Sequence, residues 1–326
     1  MIEPRRRRGL AAAAVAIAAL HAAAAAAGND LALAWLARMR AAVHNLDYEG
    51  TFVVQQGQKL ASMRIWHSGT GEVERERLIS LDGPAREILR DHERVTCVLP
   101  DRASIVIDQR RPNQTLGVLG SADFQRLHEN YVVQLAGDER VAGRDAQRID
   151  IEARDEFRYG YSLWLDRDTA LPLRVEMLSE SKQPVERIQF TNLNTDSPIA
   201  PAELTLSSAN AAFRQVQTPV PDLIQNGRAS WSPSQVPPGF RQTTMARLAG
   251  HEDRRGAEQL VYSDGLASIS VYIESVRSGE PLSGGSRLGA VSTFGAPLDD
   301  EHHVTAMGEV PMLSVRTVAT SMVRGE

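Results

Sequence analysis

Apolar and polar residues alternate with a period of two over residues 159–177, and this is the clearest pattern in the chain. Such a period buries one face of a β-strand. Residues 159–165 and 171–177 form two alternating arms, and the Asp-Arg-Asp-Thr run between them supplies typical turn residues. Pro172 stands at the start of the second arm, where the missing N–H costs least. The pattern predicts a β-hairpin.

The same alternation recurs before and after this hairpin, with Gly, Pro and Asp residues marking turns between the segments. The predicted strands cover residues 48–55, 59–67, 73–80, 85–90, 94–99, 104–108, 131–135, 148–153 and 185–193. Nearly every one of them has one apolar face. Consecutive strands of this kind pair as hairpins, so the simplest architecture is one large, curved antiparallel sheet.

After residue 27, apolar residues have helical spacing near both ends of the chain. Residues 31–46 predict one helix before the strands. Residues 111–130 interrupt the strands with a proline and two glycines, and they predict a short helix over 123–130. Pro311 can occupy the first position of a last helix, because apolar residues follow it at helical spacing.

The strand pattern lapses between about residues 210 and 230, where Pro219 and Pro221 stand close together. Such a stretch is typical of a linker between domains. After it, apolar residues at 267–273 alternate with serines and a tyrosine as the clearest strand of a second, smaller α+β domain. The predicted fold class is therefore α+β, with a sheet domain at residues 28–212, a linker at 213–230 and a C-terminal domain at 231–326.

The apolar face of the predicted large sheet has to be covered. Spread over about ten strands, it would exceed the few hundred Å² of contiguous apolar surface that a soluble monomer usually exposes. The helix at 31–46 and the segment at 111–130 look too small to close it completely. We therefore expect an apolar cavity suited to an acyl chain or lipid, and a fully packed core is the alternative. The candidate cavity residues are Phe52, Val54, Met63, Ile65, Tyr161, Leu163, Leu173 and Val175.

The first 27 residues have the composition of a secretory signal peptide. Arg5 to Arg8 precede an alanine-rich apolar run that closes on three alanines before Gly28. A membrane anchor is the alternative, although the run is near the lower length limit for a span. Because residues 1–27 carry four Arg and one Glu, their removal takes +3 from the formal net charge of −5 and leaves about −8. A charge of this sign argues against a nucleic-acid partner, which would need a basic footprint.

A search for catalytic chemistry returns no glycine-rich phosphate loop, nucleophile elbow or paired-histidine zinc motif. Cys97 is the single cysteine and is expected to be a small buried hydrophobe. Asp166 and Asp168 belong to the predicted hairpin turn. His302 and His303 are adjacent, so on a strand they would point to opposite faces and could not share a metal ion. We expect no enzyme, no metal site and no cofactor.

Several segments carry a resemblance to a known family. They are YEGTFVV (48–54), ERLISLDGPAREILR (76–90), CVLPD (97–101), YGYSLWLDRDTALPLR (159–174), VYSDGLASISVYIE (261–274) and GEVP (308–311). In this order they resemble the RseB/MucB family of periplasmic sigma-E regulators, and they span nearly the whole chain after residue 27. The resemblance implies a first domain similar to the LolA-type lipoprotein carriers, which is a half-barrel of antiparallel strands covered by helices.

The resemblance also implies a function and a partner. A member of this family is expected in the periplasm, where it binds the periplasmic domain of a single-span anti-sigma factor of the RseA/MucA kind and shields it from proteolysis. Lipid or lipopolysaccharide, or a mislocalised lipoprotein, is expected to release that hold. This implication favours the ligand cavity over the packed core. A periplasmic lipoprotein or lipid carrier is the alternative function, and the second domain favours the regulator. A homo-oligomer is left open.

From pattern alone, the partner is expected on the second domain. Large aromatic side chains are frequent anchors of protein interfaces. The candidate anchors are Phe240, Tyr262 and Tyr272. If a ligand in the cavity and a partner on the second domain are coupled, the linker is the expected hinge.

Overall fold

The structure of the chain is a computed structural model. It describes residues 28–70, 73–91, 94–108, 124, 126–207, 212–218, 222–224, 227–248, 257–276 and 282–325. The predicted signal peptide and most of the interrupting segment at 111–130 lie outside these residues. Every statement below concerns the described part of the chain.

The first domain is built on one large, curved sheet of twelve strands. Its strands are β1 (Tyr48–Gln56), β2 (Lys59–Ser68), β3 (Arg75–Ser80), β4 (Glu87–Arg90), β5 (Val95–Leu99), β6 (Ser104–Asp108), β7 (Tyr131–Val141), β8 (Arg144–Ala153), β9 (Gly160–Asp166), β10 (Pro172–Leu178), β11 (Pro184–Asn194) and β12 (Arg214–Gln217). Their order is β12-β6-β5-β4-β3-β2-β1-β11-β10-β9-β8-β7. All neighbours are antiparallel except β12 and β6. The predicted large antiparallel sheet is confirmed.

The hairpin predicted at 159–177 is β9–β10. Leu163 lies opposite Val175, and Tyr161 lies opposite Met177. In the turn, the buried carboxylate of Asp166 accepts a hydrogen bond of 2.8 Å from the Thr169 hydroxyl. It accepts a second of 2.8 Å from Nε of Arg144 on the neighbouring strand β8. This aspartate therefore holds the turn together and anchors it to the sheet.

One hairpin is longer than the sequence pattern predicts. Strands β7 and β8 pair from Tyr131 to Val141 and from Arg144 to Ala153, whereas the alternation indicated only 131–135 and 148–153. The pattern breaks because Gly137 lies in a register shift of β7 with a φ of +102°. A bulge of this kind changes the phase of the side chains.

The predicted linker is partly strand. Residues 214–217 form β12, which pairs in parallel with β6, and Thr218 N donates to the Ile107 carbonyl at 2.9 Å. Asp222–Leu223 form β13, which pairs with β15 of the second domain. Each strand is too short and too polar for a periodic signal, and backbone pairing with a sheet edge holds it.

The second domain contains a seven-stranded sheet, a two-stranded ribbon and one helix. Its elements are β13 (Asp222–Leu223), β14 (Trp231–Pro233), β15 (Arg241–Leu248), β16 (Ala257–Ser263), β17 (Ser268–Ser275), β18 (Gly284–Leu288), β19 (Val291–Pro297), β20 (His302–Gly308), α3 (Met312–Thr320) and β21 (Met322–Arg324). The sheet order is β13-β15-β16-β17-β20-β19-β18, and β14 pairs with β21. Helix α3 follows Pro311 as predicted and packs its buried side against the sheet.

Two helices belong to the first domain. Helix α1 covers residues 28–45, and α2 is a single turn at Leu127–Asn130. Leu36, Met39 and Val43 of α1 are buried against one face of the large sheet, which we call the inner face. The apolar core of the first domain lies between this helix and the inner face.

Candidate functional site

The eight residues predicted to line a cavity lie together in the core of the first domain. Five of them are fully buried: Phe52, Ile65, Tyr161, Leu163 and Leu173. Val54, Met63 and Val175 are half-buried and pack against that core. The sequence pattern therefore grouped the residues of one continuous face.

Side-chain burial decreases along one row of this face, from β9 towards β1. Leu163 of β9 lies opposite Val175 of β10, which lies opposite Ile188 of β11, which lies opposite Val54 of β1. Leu163 is inaccessible to solvent, while the other three are half-buried. Met63, opposite Phe52 on β2, continues the half-buried part. We call these half-buried residues the apolar mouth (Val54, Met63, Val175 and Ile188).

The three candidate partner anchors do not share a surface. Phe240 and Tyr262 are 4% and 5% exposed and belong to the core of the second domain. Burial raises the pKa of Tyr262 to about 12. An interface anchor must be accessible in the free protein, so neither side chain can serve without a rearrangement. Tyr272 is half-buried, and its hydroxyl accepts a hydrogen bond of 3.1 Å from Nε2 of Gln259.

Tyr272 lies on the face of the second sheet that is turned away from α3. Strand alternation places Ile269 and Val271 in the core under α3, and it places the serines and Tyr272 of β17 on the other side. Ser270 lies opposite both Val261 of β16 and Met307 of β20. We call this surface the serine face (Val261, Ser263, Ser268, Ser270, Tyr272 and Met307).

A cavity of about 700 Å³ lies over the serine face and reaches the first domain. Tyr161 of β9 borders it from the first domain, and Glu309 borders it at the end of β20. Burial and the nearby carboxylate of Glu186 raise the pKa of Glu309. The cavity is thus formed by both domains and contains a carboxyl group that is easier to protonate than usual.

A buried ion pair connects the two domains. Arg158, just before β9, contacts Asp264, which lies in the turn between β16 and β17, and both side chains are 0% exposed. The same guanidinium contacts the Pro238 carbonyl, and its Nε donates to Asp155 at 3.0 Å. Tyr131 donates a further hydrogen bond to Asp264 at 3.1 Å.

The remaining atoms of this ion pair are satisfied as well. The second oxygen of Asp264 accepts hydrogen bonds from the backbone N–H groups of Leu266 and Ala267, at 2.9 and 2.7 Å. The rings of Tyr131 and Phe240 have centroids 5.6 and 5.1 Å from the guanidinium carbon of Arg158. A buried charge is tolerated only when it is paired and hydrogen-bonded, which is the case here. We call Arg158, Asp155, Asp264, Tyr131 and Phe240 the interdomain junction.

Further contacts surround the junction. Leu266, from the turn of the second domain, is part of the apolar core of the first domain. The Ser314 hydroxyl of α3 donates to the Phe157 carbonyl at 2.5 Å. Gly239 has a φ of +79°, and a Cβ there would lie 2.3 Å from the side-chain oxygen of Asn130. The domains are therefore joined through packed side chains and backbone as well as through the linker.

Sequence reasoning missed the interdomain junction. Asp264 lies in a turn, where it accepts two backbone hydrogen bonds, and the sequence pattern assigns no role to Arg158. The two residues are 106 positions apart, and each stands in a polar stretch of ordinary composition. No periodic signal connects an arginine to an aspartate at that distance. The functional role given to Phe240 was a partner contact, whereas the structure places its ring against Arg158.

Cys97 and the adjacent histidines His302 and His303 have surroundings typical of structural residues. Burial raises the pKa of the Cys97 thiol, which keeps it protonated and weakly nucleophilic. His303 is buried with Nε2 2.7 Å from the Leu282 carbonyl, whereas His302 lies 2.9 Å from Asp299. Within the described ranges, no group of three His, Cys, Asp or Glu residues is placed to hold a metal ion. Across the same part of the chain, no helix has the length and apolarity needed to span a membrane.

Family models match both domains. The model described as MucB/RseB N-terminal domain matches residues 31–207, and the model described as MucB/RseB C-terminal domain matches residues 225–323. The chain is 35% identical over 293 residues to the sigma factor AlgU regulatory protein MucB of Pseudomonas aeruginosa, covering 88% of this chain and 89% of that protein. It is 27% identical over 298 residues to the sigma-E factor regulatory protein RseB of Escherichia coli, covering 89% of each.

Solved structures match about nine-tenths of the chain. The complex of Pseudomonas aeruginosa MucA and MucB matches with a TM-score of 0.71 and 32% identity, over 90% of this chain and 99% of that one. A crystal structure of MucB matches with a TM-score of 0.65 and 32% identity, over 91% of this chain and 99% of that one. The similarity therefore includes both domains and their connection.

Proposed function

The chain belongs to the MucB/RseB family, and from this premise we propose that it is a periplasmic negative regulator of a sigma-E type envelope-stress response. It binds the periplasmic domain of a single-span anti-sigma factor. The observation that carries this proposal is the full-length similarity to a protein whose structure was solved in complex with MucA. We assign no enzymatic activity to it.

The regulator acts by protection. While it is bound, the anti-sigma factor is held away from the protease that would start its degradation. Such protection requires a complex that is stable on the time scale of proteolysis, and a rigid two-domain binder reduces the entropy lost on association. The interdomain junction supports this part of the proposal, because it fixes the two domains of the free protein before a partner arrives.

The signal that releases the partner is proposed to be a lipid, lipopolysaccharide or a mislocalised lipoprotein. The apolar mouth supports this, since it offers half-buried aliphatic side chains that continue into the apolar core. A ligand that binds the free protein better than the complex must weaken the partner's hold by the same factor. The linkage is reciprocal, so the partner must weaken ligand binding equally.

The experiment measures partner binding and its response to lipid. The chain from residue 28 is immobilised, and the periplasmic domain of the anti-sigma factor from the same organism is titrated with and without lipopolysaccharide. We expect saturable binding, protection of the partner in a protease assay, and weaker binding when lipopolysaccharide is present. Absence of binding by the intact chain would refute the regulator.

Two variants separate the lipid response from folding. Met63→Asp places a charge in the apolar mouth and should abolish the response to lipopolysaccharide while partner binding remains. Val132→Asp is the matched control, because Val132 is an exposed valine of β7, at the edge of the sheet. An unchanged lipid response in a folded Met63→Asp protein would remove the apolar mouth from the proposal.

A lipoprotein or lipid carrier is the second candidate function. The apolar mouth alone would suit it equally well. A carrier would bind lipid in the first assay and show no affinity for the anti-sigma factor. Capture of lipoproteins without the anti-sigma factor from solubilised envelope would favour the carrier over the regulator.

A further inference from the structure

Among the described residues that line the cavity over the serine face, none has a cationic side chain. Apart from the carboxylate of Glu309, its polar side chains in the described lining carry hydroxyls, contributed by Tyr161, Thr243, Ser263, Ser268, Ser270 and Tyr272. Its apolar groups come from Val261 and Met307. Such a mixture of a few polar groups and an apolar floor is typical of a ligand site.

Glu309 is the one carboxylate in the described lining, and no described cation pairs with it. No ion pair or hydrogen bond involves its side chain among the described residues. The nearest charge that affects it is a second carboxylate, Glu186, which is occupied by a hydrogen bond of 3.0 Å from Gln56 Nε2. Two neighbouring carboxylates, with no cation in the described lining of the cavity, create a local negative potential. A positively charged group placed here would therefore be attracted.

The shape of the cavity fits an extended chain. Ser268, Ser270 and Tyr272 stand on one face of β17 at every second position, which corresponds to a spacing of about 6.6 Å. Side chains of an extended polypeptide repeat at the same distance. Ser270 and its cross-strand neighbours Val261 and Met307 form a row across the floor, so one strand-like segment can lie over several lining groups at once.

We propose that this cavity seats an extended segment of the anti-sigma factor, and that a lysine or arginine of the segment pairs with Glu309. This inference rests on the proposed function and adds to it a surface and a chemical requirement on the partner. Because Tyr161 borders the same cavity from the first domain, the bound segment contacts both domains. Tyr161 is also one of the buried residues of the inner face. Its side chain therefore joins the two sites that the regulator has to couple.

The first test changes the cavity and measures affinity for the purified periplasmic domain of the anti-sigma factor. Glu309→Gln removes the charge without changing the shape and should weaken binding about tenfold or more, with a smaller dependence on salt. Ser270→Arg fills the cavity and brings a positive charge, so it should weaken binding further. Both proteins are first checked for an unchanged circular dichroism spectrum and melting temperature close to that of the parent.

Matched controls carry the same substitutions elsewhere on the second domain. Glu301→Gln changes an exposed glutamate in the turn before β20. Thr320→Arg adds an arginine at an exposed position of α3, on the opposite side of the sheet. Both should bind within twofold of the parent chain. Parent-like binding by both cavity variants would overturn the cavity as the partner site and leave the regulator proposal intact. A parent chain that does not bind at all would overturn both.

The second test detects contact directly. A photo-reactive benzoylphenylalanine replaces Ser270 in one protein and Thr320 in another, and each is irradiated with the bound partner. We expect a cross-linked peptide that contains or adjoins a lysine or arginine from the Ser270 position only. A cross-link from Thr320 and none from Ser270 would place the partner on the other side of the domain and overturn the proposal.

Discussion

The inner face of the large sheet and the interdomain junction each have a fully buried centre, yet they are held by different interactions. The inner face is a continuous apolar surface in which any one side chain touches many others. The junction is a cluster of five side chains centred on one ion pair. Loss of one apolar group costs its own burial and a cavity, whereas loss of one charge leaves its partner buried and unpaired. The two regions should therefore respond differently to matched substitutions.

The largest effect is expected at the junction. Arg158→Met keeps the length of the side chain but leaves the Asp264 carboxylate buried without its cation, so unfolding in urea should require about 3–5 kcal/mol less free energy. Adding Asp264→Asn should restore part of that loss, because the buried charge is then removed. Glu152→Ala, which breaks the exposed pair with Lys182 at 3.2 Å, should cost less than about 1 kcal/mol. Equal effects of the single and double junction variants would contradict this account.

A cavity on the inner face should cost slightly less. Leu163→Ala removes a fully buried side chain in the middle of the apolar core, and the expected loss is about 2–4 kcal/mol in the same urea experiment. Leu163→Met should cost less than about 1.5 kcal/mol, because the volume is nearly kept. In the apolar region, a side chain can change its shape if its volume is nearly kept. The junction offers no comparable substitution. A larger loss from methionine than from alanine would refute that difference.

A smaller effect is expected where the junction loses a hydrogen bond but keeps its charges. Tyr131→Phe removes the hydroxyl that donates to Asp264 at 3.1 Å, and should cost about 1 kcal/mol. The pKa of Tyr131 is raised well above its usual range by burial and by Asp264, so the hydroxyl stays protonated and donates at neutral pH. Urea unfolding at pH 6 and pH 8 should show the same difference at both values.

The smallest effect is a pH dependence of stability from Glu309. Burial and Glu186 raise its pKa, so the folded state binds this proton more tightly than the unfolded state does. The group therefore contributes most stability below its unfolded pKa, and that contribution is lost as the pH rises through its folded pKa. Glu309→Gln should raise the melting temperature slightly at pH 7. When the pH is lowered, the melting temperature of this variant should increase less than that of the parent. Glu301→Gln should follow the parent, and an identical profile for both variants would count against a shifted Glu309.

The difference between the two regions also explains how much of the molecule could be predicted from its sequence. Alternation predicted the strands of the large sheet and grouped Leu163 with Val175, because burial of one sheet face requires apolar residues at every second position. It failed at Gly137, where a bulge changes the phase, and at β12 and β13, whose backbone pairing needs no side-chain pattern. The resemblance to the RseB/MucB family is confirmed over both domains.

Site residues could be predicted only where they belong to a strand with alternating apolar and polar residues. Alternation in β17 already separated Tyr272 from Ile269 and Val271, but the orientation of Tyr262 depends on the turn at Asp264, whose geometry the sequence does not specify. Phe240 gives no periodic signal, and in the structure it is buried in the core of the second domain with its ring against Arg158. Pairing of Arg158 with Asp264 is a tertiary contact between two segments that are each polar and locally unremarkable.

The short strands at both ends of the linker limit how far the domains can separate. β12 ends at Gln217 on the edge of the first sheet, and β13 begins at Asp222 on the edge of the second. While both strands stay paired, the five peptide units between them can span at most about 18 Å. After the junction opens, Arg158 and Asp264 therefore remain at a high effective concentration relative to each other. If the junction opens while both strands stay paired, its closure is an intramolecular step, so a ligand that holds the domains apart must stay bound to keep the junction open.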